Sequence, residues 1–178
     1  MGVYRVSSNF RRKVELNLGC AVILAGSGSD EAHIDKIAAS LNRYSVPFEV
    51  RIASAHKQGR KLPDTVREYD GWKGALAYIA VAGDTDALSG TVSFISHRPT
   101  ISCPPDHPNH SCINNPPGSS NAYVARAENL GRFVAQMFSS INPQYHRRIQ
   151  EEVEAKVKKL EADDERLRVK YGTINEAT

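Results

Sequence analysis

Three short apolar runs, each ending in a turn of small or polar residues, constrain the fold of this sequence more than any other feature. Residues 20–24 and 76–82 are continuous apolar runs, and residues 48–53 alternate apolar with polar side chains. Runs of this length are typical of strands, and continuous ones are typical of strands buried inside a parallel sheet. Between these runs, apolar residues recur at helical spacing. The alternation predicts a doubly wound α/β fold, with helices on both faces of a parallel sheet.

The same patterns predict the remaining elements of the sheet and its helices. A fourth strand is expected over residues 99–103, and the 99–118 stretch holds six of the nine prolines. After that strand the stretch is predicted to form a long loop, and long loops in compact domains are usually functional or disordered. Helices are expected over residues 31–44, 61–72, 88–95 and 123–138.

Composition divides the chain into three parts. Residues 1–18 are polar and irregular and are predicted to form a loose N-terminal arm, and residues 19–142 hold the α/β domain. Residues 143–178 carry eight basic and eight acidic side chains, which predicts a long, charged C-terminal helix with a narrow apolar stripe. Such a helix is marginal alone, so we expect a neighbouring subunit to support it. The stripe consists of Ile149, Val153, Val157, Leu160 and Leu167.

Length, charge and cysteine content exclude several classes of protein. The 178 residues suit one domain, and the excess of 23 Lys and Arg over 20 Asp and Glu is too small to indicate a nucleic-acid partner. The longest apolar run, residues 18–26, is too short for a membrane span and lacks a secretory cleavage pattern. Three widely spaced cysteines fit neither a disulfide framework nor a zinc site. We therefore expect a cytoplasmic protein with no nucleic-acid and no membrane partner.

The turn after the first strand, Gly-Ser-Gly-Ser-Asp at residues 26–30, is a candidate phosphate or sugar site. Backbone N–H groups at the start of a helix bind anions, and glycine allows a phosphate to approach closely. The second interpretation is that Ser29 or Asp30 only caps the following helix. The pattern lacks the third glycine of a dinucleotide fingerprint and the lysine of a P-loop.

The other strand ends also carry reactive side chains. His56 follows the second strand, where an imidazole can transfer a proton near neutral pH; the alternative is an ordinary surface histidine. Asp84 and Asp86 follow the third strand, either as an acid–base pair or as solvated or capping groups. Cys103 ends the fourth strand and is interpreted as a buried apolar residue rather than a nucleophile. Because ligands bind at the carboxyl ends of parallel strands, these turns predict one site.

Four segments in this order resemble the aminoimidazole ribonucleotide carboxylase family (PurE-like) of purine biosynthesis. The resemblance covers roughly residues 21–138. Lys57 after the histidine, with Ile-Ser-Cys-Pro-Pro at residues 101–105, looks like class II, the branch that uses free carbon dioxide. The mutase branch usually has Arg after that histidine. The four segments are residues 26–30, residues 54–56 (Ser-Ala-His), residues 82–90 (Ala-Gly through Leu-Ser-Gly), and Pro-Pro-Gly at 116–118 leading into Ala-Gln-Met-Phe at 135–138.

The resemblance implies a three-layer α/β/α, flavodoxin-like parallel sheet, a homo-octamer with sites between subunits, and chemistry without a metal or organic cofactor. It also implies that carbon dioxide is added to a phosphorylated small molecule, aminoimidazole ribonucleotide, with His56 as the catalytic acid and base. The implied substrate-binding residues are Gly26, Ser27, Ser29, Asp30, Ser54, Ala55, Lys57, Gly83, Asp84, Asp86, Ala87, Leu88, Ser89 and Gly90. The residues implied on the carbon dioxide side are Ser89, Gly90, Ser102, Cys103 and Pro104.

The sequence departs from the class II pattern at two places. Arg-Ser-Asn of the pattern is Asp-Thr-Asp at residues 84–86, and Leu-Arg-Leu-Pro-Ser-Gly is Ile-Asn-Asn-Pro-Pro-Gly at residues 113–118. Two cations are lost and two carboxylates are added near the expected phosphate, so Lys57, Lys61 or a neighbouring subunit must compensate. Three hypotheses follow: an aminoimidazole ribonucleotide carboxylase; a related cofactor-free carboxylase, decarboxylase or mutase acting on another heteroaromatic or acidic substrate; and a catalytically silent relative.

Overall fold

The computed structural model describes residues 8–172, and the strands among them form one parallel sheet. The strand order is β2-β1-β3-β4-β5, and every neighbouring pair runs parallel. The chain passes from β1 to β2 on one side and then crosses to β3 on the other side of β1. This reversal opens a crevice at the carboxyl ends of the central strands. The strands are β1 Cys20–Ala25, β2 Phe48–Ile52, β3 Leu76–Val81, β4 Thr100–Ser102 and β5 Ala122–Tyr123.

Helices cover both faces of the sheet and complete three layers. One face packs against α2 (Glu31–Arg43), α5 (Ala127–Phe138) and the beginning of α6 (Pro143–Gly172). The opposite face packs against α1 (Ser8–Glu15), α3 (Lys61–Asp70) and α4 (Ala87–Ile95). The prediction of a three-layer α/β/α parallel sheet with a long C-terminal helix is therefore confirmed.

The two central strands explain why continuous apolar runs were needed. Every residue of β1 and β3 is buried, since a strand in the middle of this sheet has a helical layer on each side. In β1, Ala21 and Ile23 face the α2–α5 core, whereas Val22 and Leu24 face the α1–α3–α4 core. The edge strand β2 is only partly buried, which agrees with its alternating sequence.

Two of the predicted elements differ from those observed. The prediction of an irregular arm is wrong for residues 8–15, which form α1, because Phe10 and Val14 lie one helical turn apart and are buried in the core; residues 1–7 lie outside the described residues. The helix predicted from residue 123 begins at Ala127. The preceding Ala122 instead pairs with Ile101 as the edge strand β5.

The first turns of α6 are held firmly against the body of the protein. The buried Tyr145 hydroxyl donates to the Gly19 carbonyl oxygen at 2.7 Å. Two turns later, the Glu152 carboxylate accepts hydrogen bonds from Arg132 of α5, at 2.9 Å, and from the Tyr44 hydroxyl. It also pairs with Lys156 at 2.8 Å. These contacts join α6 to α5 and to the end of α2.

Glu152 gives the attachment of α6 a defined pH dependence. Burial alone would raise the pKa of Glu152, but hydrogen bonds from Lys156, Tyr44 and Arg132 lower it from 4.5 to about 2. A carboxyl with a lowered native pKa stabilises the fold above its unfolded pKa and loses that contribution as pH falls through the native value. We expect stability to fall between pH 4.5 and about 2 in the wild type, and the Glu152 share of that fall to be absent in Glu152→Gln.

The measurement is the free energy of unfolding by denaturant at a series of pH values. Glu151→Gln is the matched control, since Glu151 is exposed on the same helix. An acid profile in Glu152→Gln that parallels the wild-type profile would show that Glu152 does not anchor the helix through its charge.

Candidate active site

A cavity of about 550 Å³ opens at the carboxyl ends of β1, β2 and β3. This volume suits a small metabolite. The turns that follow the three strands supply most of its wall, as expected for a site at the reversal point of a parallel sheet. The lining residues are Gly26, Ser27, Ser29, Asp30, Ser54, Ala55, His56, Lys57, Ala82, Gly83, Asp84, Thr85, Ala87 and Leu88.

The turn after β1 is capped by a different residue from those expected. Ser27 Oγ accepts from the Ser29 backbone N–H at 3.1 Å and from the Ser29 hydroxyl at 2.8 Å. The interpretation that Ser29 or Asp30 caps the helix is therefore wrong, because Asp30 makes no side-chain capping bond at the start of α2. Ser27 orders this turn, and the Asp30 carboxylate lies at the cavity wall.

The turn after β2 presents His56 on a braced loop. The buried Ser54 accepts from the Lys57 backbone N–H through its Oγ, at 3.2 Å, and its own N–H donates to Gln58 Oε1 at 3.2 Å. In the sequence His56 lies between the residues that make these bonds, and its side chain is exposed at the cavity. Among residues 8–172 the His56 ring has no hydrogen-bond partner. The imidazole is therefore positioned by its backbone and available to a bound ligand.

The turn after β3 is held in an unusual backbone conformation. Asp84 has φ +54°, in the left-handed region that aspartate adopts more readily than most residues. Its N–H donates to Asp106 Oδ2 at 2.8 Å. Its carbonyl oxygen accepts from Asn109 Nδ2 at 3.0 Å and from Ser111 Oγ at 3.1 Å. The proline-rich loop thus fixes the wall of the cavity through both polar groups of the Asp84 backbone.

The residues predicted for the site from the sequence do not include Asp106, Asn109 and Ser111. The available signal was the predicted functional loop after the fourth strand, but that signal named no residue. Burial alone would raise the pKa of Asp106, but hydrogen bonds from Asn109 and from the Asp84 N–H lower it below its usual value. The ionised carboxylate is therefore the acceptor that holds the Asp84 turn at neutral pH.

Asp86 has a structural role that differs from that of Asp84. It is 4% exposed, and its Oδ1 accepts from the N–H groups of Leu88 and Ser89 at the start of α4. Its Oδ2 accepts from the Ser102 hydroxyl at 2.9 Å. The capping interpretation is confirmed for Asp86, whose carboxylate is fully occupied and does not line the cavity.

We expect Asp86→Ala to lower the free energy of unfolding by about 2–3 kcal/mol, because it removes a helix cap and leaves the buried Ser102 hydroxyl without its acceptor. The matched control is Asp84→Asn, which keeps a side chain tolerated at positive φ and should change stability by less than about 0.5 kcal/mol. Chemical denaturation measures both. Equal effects of the two substitutions would contradict the assignment of Asp86 to the cap.

The structure divides the predicted site residues into two groups. Twelve of them line the cavity: Gly26, Ser27, Ser29, Asp30, Ser54, Ala55, His56, Lys57, Gly83, Asp84, Ala87 and Leu88. Ala82 and Thr85 line it too, without having been predicted. The residues that do not line it are Asp86, Ser89, Gly90, Ser102, Cys103 and Pro104, so no residue of the predicted carbon dioxide side reaches this cavity.

Cys103 behaves as a buried apolar residue, as predicted. It is fully buried, and burial raises the pKa of its thiol to about 12. The thiol therefore remains protonated and unreactive at neutral pH. His33 of α2 lies against it, with Nε2 at 3.0 Å from the Cys103 carbonyl oxygen.

The charged side chains of the cavity wall are mixed. Lys57 is the lysine at the wall, and Asp30 and Asp84 are the carboxylates there. Within residues 8–172, no group of three or more His, Cys, Asp and Glu side chains is arranged to hold a metal ion. None of the helices in this range has the combined length and apolar character needed to cross a membrane.

Comparison with known proteins gives a consistent result. A family model described as AIR carboxylase matches residues 20–159. A phosphoribosylaminoimidazole carboxylase of Treponema denticola is 31% identical over 83% of this chain and 96% of the relative. One from Archaeoglobus fulgidus is 32% identical over 92% of each chain. An N5-carboxyaminoimidazole ribonucleotide mutase of Methanocaldococcus jannaschii is 30% identical over 82% of this chain and 96% of the relative.

The structural comparison agrees with the comparison of sequences. The crystal structure of Treponema denticola PurE matches this fold with a TM-score of 0.78 and 31% identity, and the match covers 84% of this chain and 98% of that one. The family model spans the sheet, the three cavity turns and the first half of α6. The chain therefore belongs to the AIR carboxylase family.

Proposed function

We propose that this protein is a phosphoribosylaminoimidazole carboxylase, which adds carbon dioxide to aminoimidazole ribonucleotide in purine biosynthesis. The observation that carries the proposal is the meeting of the His56 turn and the Ser27–Asp30 turn at one cavity, in a chain of the AIR carboxylase family. The first of these turns supplies a proton carrier, and the second supplies hydroxyl and backbone groups suited to ribose and phosphate.

The proposed reaction needs one proton carrier in the protein. The electron-rich imidazole carbon beside the amine attacks carbon dioxide. A carbon–carbon bond forms while the π electrons of one C=O bond move onto oxygen, which gives the carboxylate. The same ring carbon still bears its hydrogen, and His56 accepts that proton so that the ring recovers its aromatic electrons. The proton then passes to solvent. An exposed imidazole with no hydrogen-bond partner among residues 8–172 is suited to this exchange.

Substrate binding is assigned to the remaining wall of the cavity. Ser27 and Ser29 are proposed to contact the ribose phosphate, with Lys57 as the nearby cation. The braced Asp84 turn forms the opposite wall and keeps the bound ring beside His56. Gly90 is proposed for the carbon dioxide side, which a neighbouring subunit would complete. Ser89, Ser102, Cys103 and Pro104 are buried and are proposed to support that side from within the fold.

Lys57 after the histidine favours the carboxylase reaction over the mutase reaction, because it follows the pattern of the carbon dioxide branch. The proposal includes a homo-octamer with shared sites. It also includes a cytoplasmic location, since three buried free cysteines suit a reducing compartment.

A second candidate function follows from the charge of the wall. Asp84 stands where the class II pattern has a cation, and a carboxylate repels a phosphate. The same fold and His56 would then act on another heteroaromatic substrate with less negative charge near Asp84.

The experiment that separates these functions is an absorbance assay of turnover with two substrates in parallel. One is aminoimidazole ribonucleotide with bicarbonate, and the other is N5-carboxyaminoimidazole ribonucleotide. We expect turnover of the first and little of the second. Preference for the second would assign the mutase reaction. Turnover of neither, by protein shown to be folded, would favour the second candidate function.

A further inference from the structure

The distal half of α6 carries an apolar stripe that the body of the protein does not cover. Tyr145 and Ile149 pack against the α2–α5 core, and Glu152 is the last anchoring residue described above. The helix continues to Gly172, and its 30 residues correspond to a length of about 45 Å. The exposed apolar side chains beyond Glu152 include Val153 at 43%, Val157 at 46%, Leu160 at 68%, Leu167 at 41% and Tyr171 at 55%.

These side chains follow a seven-residue repeat. In a heptad written abcdefg, the d positions are all apolar, and the a positions hold one valine, one aspartate and one tyrosine. A β-branched residue at a with leucine at d favours a two-stranded parallel coiled coil, and a single polar residue at a fixes the register at some cost in stability. Asp164 is the polar residue at a, and in a parallel pair its carboxylate would face that of its own copy, a like-charge contact that costs stability. The a positions are Val157, Asp164 and Tyr171, and the d positions are Val153, Leu160 and Leu167.

The charges beside the stripe distinguish the possible directions of pairing. In a parallel pair, each g residue faces the e residue five positions later in the other helix. Lys156 would then face Glu161 of the second copy, and Asp163 would face Arg168. Both pairs are opposite in charge. In an antiparallel pair centred on the same stripe, Asp163 would face Asp163 and Glu161 would face Glu161, which are both repulsive.

We propose that the surface formed by residues 153–171 binds the same surface of a second copy of this chain, as a parallel two-stranded coiled coil. The stripe begins within the family match, which ends at residue 159, and continues beyond it. It lies outside the cavity and does not rest on the proposed function. The ion pairs that Asp163 makes within its own helix, with Lys159 and Arg166, are exposed and weak enough to exchange.

Site-specific disulfide formation in the full chain tests this arrangement. The native cysteines are buried, so they do not contribute cross-links. In a parallel pair, each d residue faces its own copy, at a distance that a disulfide can span. Under mild oxidation we expect Leu160→Cys and Leu167→Cys each to form a covalent dimer as the main species. Ala162→Cys, on the outer f position, is the matched control and should remain monomeric on a denaturing gel.

Every other pattern of cross-links overturns the proposal. A dimer from only one of the two d-position variants would show that two helices cross at one point and do not pair along the stripe. Dimers from neither would exclude the parallel pair, because in an antiparallel pair each d residue faces an a residue. Equal cross-linking of Ala162→Cys would indicate random collision.

Charge reversal provides a second test in the Leu160→Cys protein. Arg168→Glu turns two symmetric attractive pairs into repulsive ones and should slow cross-linking about tenfold. Adding Asp163→Lys restores opposite charges and should restore the rate. Slow cross-linking in both variants would show that this pair does not form.

Discussion

His56→Asn is expected to lower kcat for carboxylation of aminoimidazole ribonucleotide by about 10²–10⁴-fold, the usual contribution of a general acid–base group. Substrate affinity should remain within about tenfold of the wild-type value, because the substitution removes a proton carrier and leaves the Ser27 turn and Lys57 in place. Asparagine is close to histidine in size, and His56 has no protein partner among residues 8–172 to lose. The fold should therefore be unaffected.

Steady-state kinetics and substrate binding by calorimetry together make this measurement. His146→Asn is the matched control, since His146 is an exposed histidine at the start of α6, outside the cavity. Unchanged kcat in His56→Asn would remove His56 from the mechanism. A large loss of affinity with unchanged kcat would assign it to binding instead.

Gly131→Ala is expected to cost about 3 kcal/mol or more of folding stability. Gly131 lies where α5 crosses α2, and a Cβ there would meet the Ser40 carbonyl oxygen at 2.1 Å and its carbonyl carbon at 2.3 Å. At this crossing the Gly131 N–H also donates to Ser40 Oγ at 2.9 Å. The new methyl group would meet backbone, which cannot rotate away, so the two helices must separate.

Thermal and chemical unfolding measure this effect, with Gly59→Ala as the matched control, since a Cβ at Gly59 meets nothing within 4 Å. The control should lie within about 0.5 kcal/mol of the wild type. Similar stability of the two variants would mean that α2 and α5 do not cross as closely as described.

The sheet was predictable because its signals are local. The continuous apolar runs that form β1 and β3 need only burial on both faces, and the polar turns after them mark the edge where the cavity lies. The edge strand β5 was missed because a strand of two residues is too short to show an alternation of apolar and polar side chains. The helix α1 was missed because Phe10 and Val14 are the two buried residues of a short, charged segment.

The role of each residue in the site was less predictable, because the roles depend on hydrogen bonds between residues that are far apart in the sequence. Asp84 and Asp86 are equivalent in the sequence, but Asp86 is buried beneath α4 and Asp84 is exposed at the cavity. The loop residues that hold Asp84 lie 22 to 27 positions later in the chain. Neither hydrophobic periodicity nor secondary-structure propensity predicts a hydrogen bond between a side chain and a backbone group at such a separation. The capping role of Ser27, in contrast, was local and was assigned to its neighbours.

Transfer of labelled carbon dioxide onto the substrate ring is the sharpest test of the carboxylase assignment. The protein is incubated with aminoimidazole ribonucleotide and ¹³C-bicarbonate, which supplies ¹³C-carbon dioxide, and the products are followed by ¹³C NMR. The proposed function predicts a new carboxylate signal whose label is bonded to the ring carbon beside the amine, formed by the wild type and not by His56→Asn. Protein that is folded and assembled but leaves the substrate unlabelled would contradict the carboxylase assignment.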